Sequence, residues 1–426
     1  MKKIKIILPL WILLFFFKGY ASDTATTIET LPLTISLSEA IKFALAGSES
    51  QKILQEKSVQ AKLQEHLAIT NFLPKLTLSG YRQWQDVPPG SKLKSENNNL
   101  KMSASESLFR GGSDYYQKRK SELLVDAAHL QQEEGRATLT LQVAKLYISV
   151  LMSKADLNNL QEELRLLQLR EKELQTRVRV GRSRLSDLLT TKAQAELILS
   201  EIEGAKITLQ SNLDALALLV DRRVKEIKDV EAPVEKLSSL PPLEVYLSKA
   251  REQRSALKSG RVQIAIADRS IDSVRSAFFP SIDLQANYYL VKSATTSPQW
   301  DLGLYLSMPL FDGGVAITKM QEATSMLREE KLQWDVKSKS VEQEVRSAYE
   351  KLQGSLKQQQ YIEEGLLVAK KAYSLQEQDY ERGLTTLLEV LQIQNTLLDY
   401  KKSHERIRYQ ILLSRLELQV AAGEIL

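Results

Sequence analysis

Catalytic or metal-binding chemistry has little to work with in this chain of 426 residues. There is no cysteine, and the three histidines, His66, His129 and His404, stand far apart in helix-like stretches without carboxylates clustered around them. A metal site needs several ligands at set spacing, and a catalytic set needs a nucleophile, a base and a group that orients it. Neither pattern occurs, so the histidines read as surface residues and the chain as a non-enzyme without cofactor or metal. The glycine pairs Gly111-Gly112 and Gly313-Gly314 lack the Lys-Ser/Thr that completes a phosphate-binding loop. Formal charge is +5, but Lys2, Lys3, Lys5 and Lys18 belong to an N-terminal leader whose loss leaves +1. Nucleic acid is not an expected partner.

The glycine pairs serve better as markers of organisation. Leu108-Phe109-Arg110-Gly111-Gly112 is echoed by Leu310-Phe311-Asp312-Gly313-Gly314, 202 residues later. Gly181 with Asp187 is echoed by Gly383 with Glu389 at the same offset, and Phe72-Leu73-Pro74 is echoed by Phe279-Pro280. The chain reads as a tandem duplication: a signal peptide over residues 1–21, a first repeat over 22–230 and a second over 231–426. The joint lies around Pro233, Pro241 and Pro242, where helices must break. The leader shows lysines, an apolar run of about 12 residues, too short for a bilayer-spanning helix, and small residues at its end.

Within each repeat the apolar period changes. Leu76 and Leu78, then Leu100, Met102 and Ala104, alternate with polar residues; so do Ile282, Leu284 and Ala286, then Leu302, Leu304, Leu306, Met308 and Leu310. Period two at about ten residues is the pattern of a tilted membrane-spanning strand. The opposite faces carry Asp283, Gln285 and Asn287, which suit a wet lumen. Trp84, Tyr81, Tyr288, Tyr289 and Trp300 near the strand ends suit an interfacial aromatic girdle. The expected loops between paired strands run from Pro88 to Asn99 and from Ser293 to Gln299.

The remainder reads as helix. Between Gly112 and Gly181 no proline intervenes, and Val143, Leu146, Val150, Leu157, Leu160, Leu164, Leu167, Leu174 and Val178 follow heptad spacing. That length gives a rod of about 100 Å, as does Gly314 to Gly383. The shorter segments, from Gly181 to Arg222 and from Glu244 to Phe278, match such a rod when laid end to end. Ser36–Asn71 and Thr386 to the C-terminus make a fourth. Four strands cannot close a barrel in lipid, because open edges leave backbone groups unsatisfied. Oligomerisation is therefore required, and two, three or four chains would each give an even strand count.

The Leu37-Ser38-Glu39-Ala40-Ile41 opening, Leu73-Pro74-Lys75-Leu76, the Leu310–Gly314 turn and the hairpins at Gly181 and Gly383 together resemble the TolC-like outer-membrane efflux protein family, over essentially the whole mature chain. The resemblance implies an α+β membrane protein: a trimeric 12-stranded β-barrel, four strands per chain, continued by a long α-helical coiled-coil barrel. It implies a passive outer-membrane exit duct of a tripartite efflux pump or type I secretion system, gated at its periplasmic tip. The partners are then two further copies, outer-membrane lipid, a periplasmic adaptor protein and an inner-membrane transporter. Residue by residue, it places Tyr380, Ser186, Asp187, Glu389 and Gln392 at the gate and Gly181, Gly383 and Leu384 at the adaptor-docking ends. Tyr380 would be restrained by Ser186-Asp187, and Glu389 would form an acidic ring. Arg182 stands where a small or apolar residue is usual, Thr385 where some members are basic, and Gln392 where a second acid occurs. The rival reading is a soluble periplasmic coiled-coil adaptor or scaffold, which would not need four lipid-ready strands.

Overall fold

The computed structural model describes residues 33–88, 90, 96–230, 240–291 and 298–424. The leader expected over 1–21, Pro233, and residues 89, 91–95 and 293–297 of the strand-connecting loops lie outside them; the first loop is shorter than expected, since residues 96–99 belong to a strand. The elements are β1 (Leu33–Ile35), α1 (Leu37–Gly47), α2 (Glu49–Thr70), β2 (Lys75–Trp84), β3 (Glu96–Arg110), α3 (Ser113–Arg179), α4 (Leu185–Val220) and β4 (Val224–Ile227). They continue as α5 (Leu243–Gln253), α6 (Ser255–Arg275), β5 (Ser281–Val291), β6 (Trp300–Ser307), α7 (Val315–Glu381) and α8 (Leu387–Ala421).

The two long rods are as expected: α3 and α7 have 67 residues each, about 100 Å. Both begin on a glycine pair in the left-handed region, and a β-carbon at Gly111 would collide with the Ser276 carbonyl oxygen. Along α3 the buried seam runs from Val143 and Val150 in the middle of the helix to Leu160, Leu167 and Leu174 toward its C-terminal end. Three glycines inside helices seat a bulky side chain of the adjoining rod. Leu54 of α2 lies over Gly135 of α3, Trp334 of α7 over Gly260 of α6, and Tyr400 of α8 over Gly365 of α7.

The stacking of the shorter helices differs from the expected one. The end of α1 meets the end of α4, where Asp221 lies against Gly47, and the end of α8 meets the α5–α6 junction, where Gly423 lies against Arg254. Each repeat therefore completes its own rod. Across the protomer α2 and α4 flank one side of α3, α6 and α8 flank the other, and α7 packs beyond them. Two helices expected to be continuous are also broken, at Ser48 (φ −59°, ψ 124°) and Arg254 (φ −61°, ψ 116°). The second break is held by the Arg254 guanidinium, 11% exposed, which reaches Glu134 of α3 (2.9 Å), Glu344 of α7 (3.5 Å) and the Val420 carbonyl of α8. Near the first break β1 pairs in parallel with β4, a pair too short for any periodicity to reveal. The buried Tyr147 hydroxyl donates toward the carbonyls of Ile35 (2.9 Å) and Lys228 (2.7 Å) that flank it.

The other four strands form one antiparallel sheet in the order β2-β3-β5-β6. Register puts Leu76 opposite Ala104, Leu78 opposite Met102, Ala286 opposite Leu302 and Leu284 opposite Leu304, so the middle of one face is apolar, with Glu106 toward one end and the Arg82–Glu96 ion pair (2.5 Å) beside Trp84 at the other. Leu76, Leu302, Leu304 and Leu306 on it are 62–71% exposed. On the opposite face Ser103 donates to Asn287 (2.7 Å) and Asn287 to Asp301 (2.8 Å), a polar rung across three strands. The proposed aromatic girdle divides by this parity: Trp84, Tyr288 and Trp300 share the apolar face, whereas Tyr81 and Tyr289 lie on the polar one. The last strand stops at Ser307 rather than Leu310, since Pro309 has no N–H to offer a ladder.

Candidate functional site: the two helical hairpin tips

The rods end, at the pole opposite the sheet, in two turns of nearly identical backbone. In the first tip, between α3 and α4, Gly181 has φ 69°; in the second, between α7 and α8, Gly383 has φ 75°. Arg182 N–H donates to the Arg177 carbonyl (2.8 Å) and Gly181 N–H to Val178 (3.0 Å); Leu384 N–H donates to Asp379 (2.8 Å) and Gly383 N–H to Tyr380 (3.0 Å). Both are Schellman closures, whose left-handed residue a glycine occupies without strain.

Behind the turns the hairpins share a core of Leu160, Leu167, Leu174, Ala195, Ile198, Ile202, Leu387 and Leu391, with Tyr380 half-buried against it. Leu174 is wholly buried, which stabilises the junction by about 1.5–3 kcal/mol.

Tyr380 does not bond Asp187 within the chain. Its ring lies beneath two arginines of α3, with the Arg170 guanidinium 5.5 Å and the Arg177 guanidinium 5.2 Å from its centroid. Arg170 is 11% exposed and also pairs with Glu173 (3.2 Å) and Glu377 (3.6 Å); Arg177 pairs with Glu173 (2.6 Å). Tyr373 donates to Glu377 (3.1 Å), and burial together with that carboxylate raises its hydroxyl above the usual tyrosine range. These long side chains bridge α3 to α7, the rods on either side of α8. Asp187 instead accepts from Ser183 (3.5 Å), while Ser186 is exposed beside it.

The start of α8 is heavily capped. Thr386 and Glu389 form a reciprocal capping box: Glu389 N–H donates to Thr386 Oγ1 (3.4 Å) and Thr386 N–H to the Glu389 carboxylate (3.0 Å). Thr385 Oγ1 also donates to Glu389 and accepts from Gln376 of α7 (2.6 Å). The bonds from Thr385 and Thr386 hold the Glu389 carboxyl below the usual glutamate range. Gln392, one turn on, is exposed. By contrast α4 begins at Arg184 with no side-chain cap.

Farther from the tips, α3, α4 and α8 enclose a crevice of about 290 Å³ lined by Glu163, Glu201, Asp399 and Lys402 among others. Burial, then Glu201 and Asp399, raise the Glu163 carboxyl. Sequence reasoning missed Arg170, Arg177 and the crevice, because their partners lie on other rods. The Thr386–Glu389 spacing, a capping signature, was available in the sequence.

The sequence pattern described as outer membrane efflux protein matches the chain twice, over residues 53–221 and 246–424. Outer membrane protein TolC of Vibrio cholerae serotype O1 is 24% identical over 312 residues, spanning 70% of this chain and 70% of that protein. Cation efflux system protein CusC of Escherichia coli K12 is 22% identical over 399 residues, 90% of this chain and 85% of that one. Among solved structures, CusC superposes with a TM-score of 0.81 at 19% identity, covering 95% of each chain. The outer membrane protein VceC of Vibrio cholerae gives 0.79 at 18% identity, covering 91% of this chain and 96% of that one.

Proposed function

The chain belongs to the outer membrane efflux protein family, and from that premise we propose that it is the non-catalytic exit duct of a tripartite efflux pump or type I secretion system. Three copies close a twelve-stranded barrel, and their rods continue it through the periplasm toward an adaptor and an inner-membrane transporter. The observation that carries this reading is the sheet itself: an apolar, exposed face with unpaired edges at β2 and β6. Lipid tolerates such a face but not such edges, so β2 of one copy pairs with β6 of the next. The rod order supports the same closure, leaving α7 on one flank and α2 with α4 on the other. After the leader, we read residues 22–230 and 231–426 as the two repeats.

The tips are then the gate and the docking ends. Gly181, Gly383 and Leu384 form the docking turns, and Tyr380, Ser186, Asp187, Glu389 and Gln392 surround the mouth. The closed state rests on the arginine clamp over Tyr380 within each chain, with Ser186 and the Ser183-bonded Asp187 at the start of α4, the rod that faces a neighbouring copy. Mass measurement of the detergent-solubilised protein tests the assembly. Three chains are expected, and a stable monomer with full strand content overturns the reading.

A further inference from the structure

The two tips carry different charge on the same backbone. Around the first, Arg179, Arg182 and Arg184 are all exposed, and none has an ion pair among the described residues; Arg177, one turn back, is the one held by Glu173. Val180, Leu185 and Leu189 beside them are 56–62% exposed. Around the second, Asp379 and Glu381 outweigh the exposed Arg382, and the exposed apolar side chains are Leu384 (73%) and Leu388 (61%).

Three guanidiniums without an ion pair among the described residues, on a Schellman-closed turn beside aliphatic side chains, form a candidate docking surface. The field of such a cluster steers and orients a partner of opposite sign, while the aliphatic rim supplies desolvated contact. A neighbouring copy can answer only part of it. Its Asp379 and Glu381, at the end of α7, can reach Arg184 on the α4 flank, but Arg179 ends α3, which its own chain flanks on both sides.

We propose that the first tip selects an adaptor whose docking end carries carboxylates set in an aliphatic ridge, whereas the second tip takes an uncharged aliphatic end. This rests on the reading of the tips as docking ends.

The test uses the full-length protein, immobilised in detergent, and two synthetic helical hairpins with the same leucine ridge. They differ at three positions of the loop end, which are Glu in one and Lys in the other. The Glu hairpin is expected to bind about tenfold more tightly at low salt, with the difference collapsing as ionic strength shortens the screening length. The combined Arg179→Glu, Arg182→Glu and Arg184→Glu variant should reverse the preference, and the corresponding Lys variant should retain it. Equal binding of both hairpins overturns the acidic-partner assignment and leaves docking at the tips standing. Binding of neither defeats the docking reading and this inference with it. An unchanged preference in the Glu variant, with loosened assembly on native gels, overturns the inference by giving the arginines to a neighbouring copy.

Discussion

The two hairpin tips were built from one unit and now behave as different objects. Their backbones agree bond for bond in the Schellman closures, yet the start of α8 is capped by Thr386 and Glu389 and tied to α7 through Gln376, while the start of α4 carries an uncapped Arg184. The comparison teaches that duplication kept what the turn requires of the backbone and released the side chains. One tip became a braced, near-neutral end, and the other an end with free positive charge.

The largest expected effect comes from removing what binds the tips together. Two cation–π contacts contribute about 1–2 kcal/mol per chain, repeated in every copy around the mouth. Arg170→Ala with Arg177→Ala should therefore raise single-channel conductance in planar bilayers several-fold without loss of assembly. Tyr380→Leu should do the same, whereas Tyr380→Phe keeps the ring and should leave conductance near its original value. A large change in Tyr380→Phe alone would mean that the hydroxyl, not the ring, holds the mouth.

Next in size are exchanges of cap between the tips. Thr386→Ala should lower stability by about 1 kcal/mol, and Arg184→Ser, which gives α4 a cap, should raise it by a comparable or smaller amount. Both are read as shifts in thermal unfolding of the detergent-solubilised assembly. If the two substitutions act in the same direction, the contrast drawn between the helix starts is wrong.

Glu389 separates charge from capping. Glutamine also closes a capping box, so Glu389→Gln should weaken cation preference of the closed channel as much as Glu389→Ala does but lower thermal stability less, losing only the charge contribution and keeping the cap. Because its folded-state carboxyl is depressed, its contribution is full above the unfolded glutamate value and is lost as pH falls through the lower, folded one.

The smallest effect is expected in the crevice behind the tips. Glu163 has a raised folded-state carboxyl, so the folded protein binds its proton more tightly than the unfolded chain does. Holding it ionised opposes folding at neutral pH, and that cost disappears as pH falls below the unfolded value. Glu163→Gln should raise the melting temperature slightly at pH 7 and not at pH 4.

Much of this architecture was legible because it is periodic. Two unbroken heptad stretches bounded by glycine define α3 and α7, and period-two segments define the four sheet strands and their faces. The stacking of the short helices was not legible, since α4 with 36 residues and α8 with 35 are interchangeable in length. Only the contacts of Asp221 with Gly47 and of Gly423 with Arg254 decide it. The helix breaks at Ser48 and Arg254 carry no proline at the break and are imposed by tertiary contacts, such as the ion pairs of Arg254 with α3 and α7. At the tips the sequence supplied the turns and Tyr380, but its partners on α3 are some 200 residues away in the chain.

The glycine seats inside the rods bear on how the mouth moves. A single bulky side chain resting in a single gap works as a detent: it fixes the axial setting of one rod against the next. Sliding by a helical turn, about 5.4 Å, would drive Tyr400 or Trp334 onto a neighbour that has a β-carbon. Each seat thus opposes telescoping, and the gate proposed above is left to open by swinging about the last detent. From Gly365 to Glu381 α7 runs on for about 24 Å, and in the gate proposed above this length is the lever that swings once the Arg170 and Arg177 contacts to it are released.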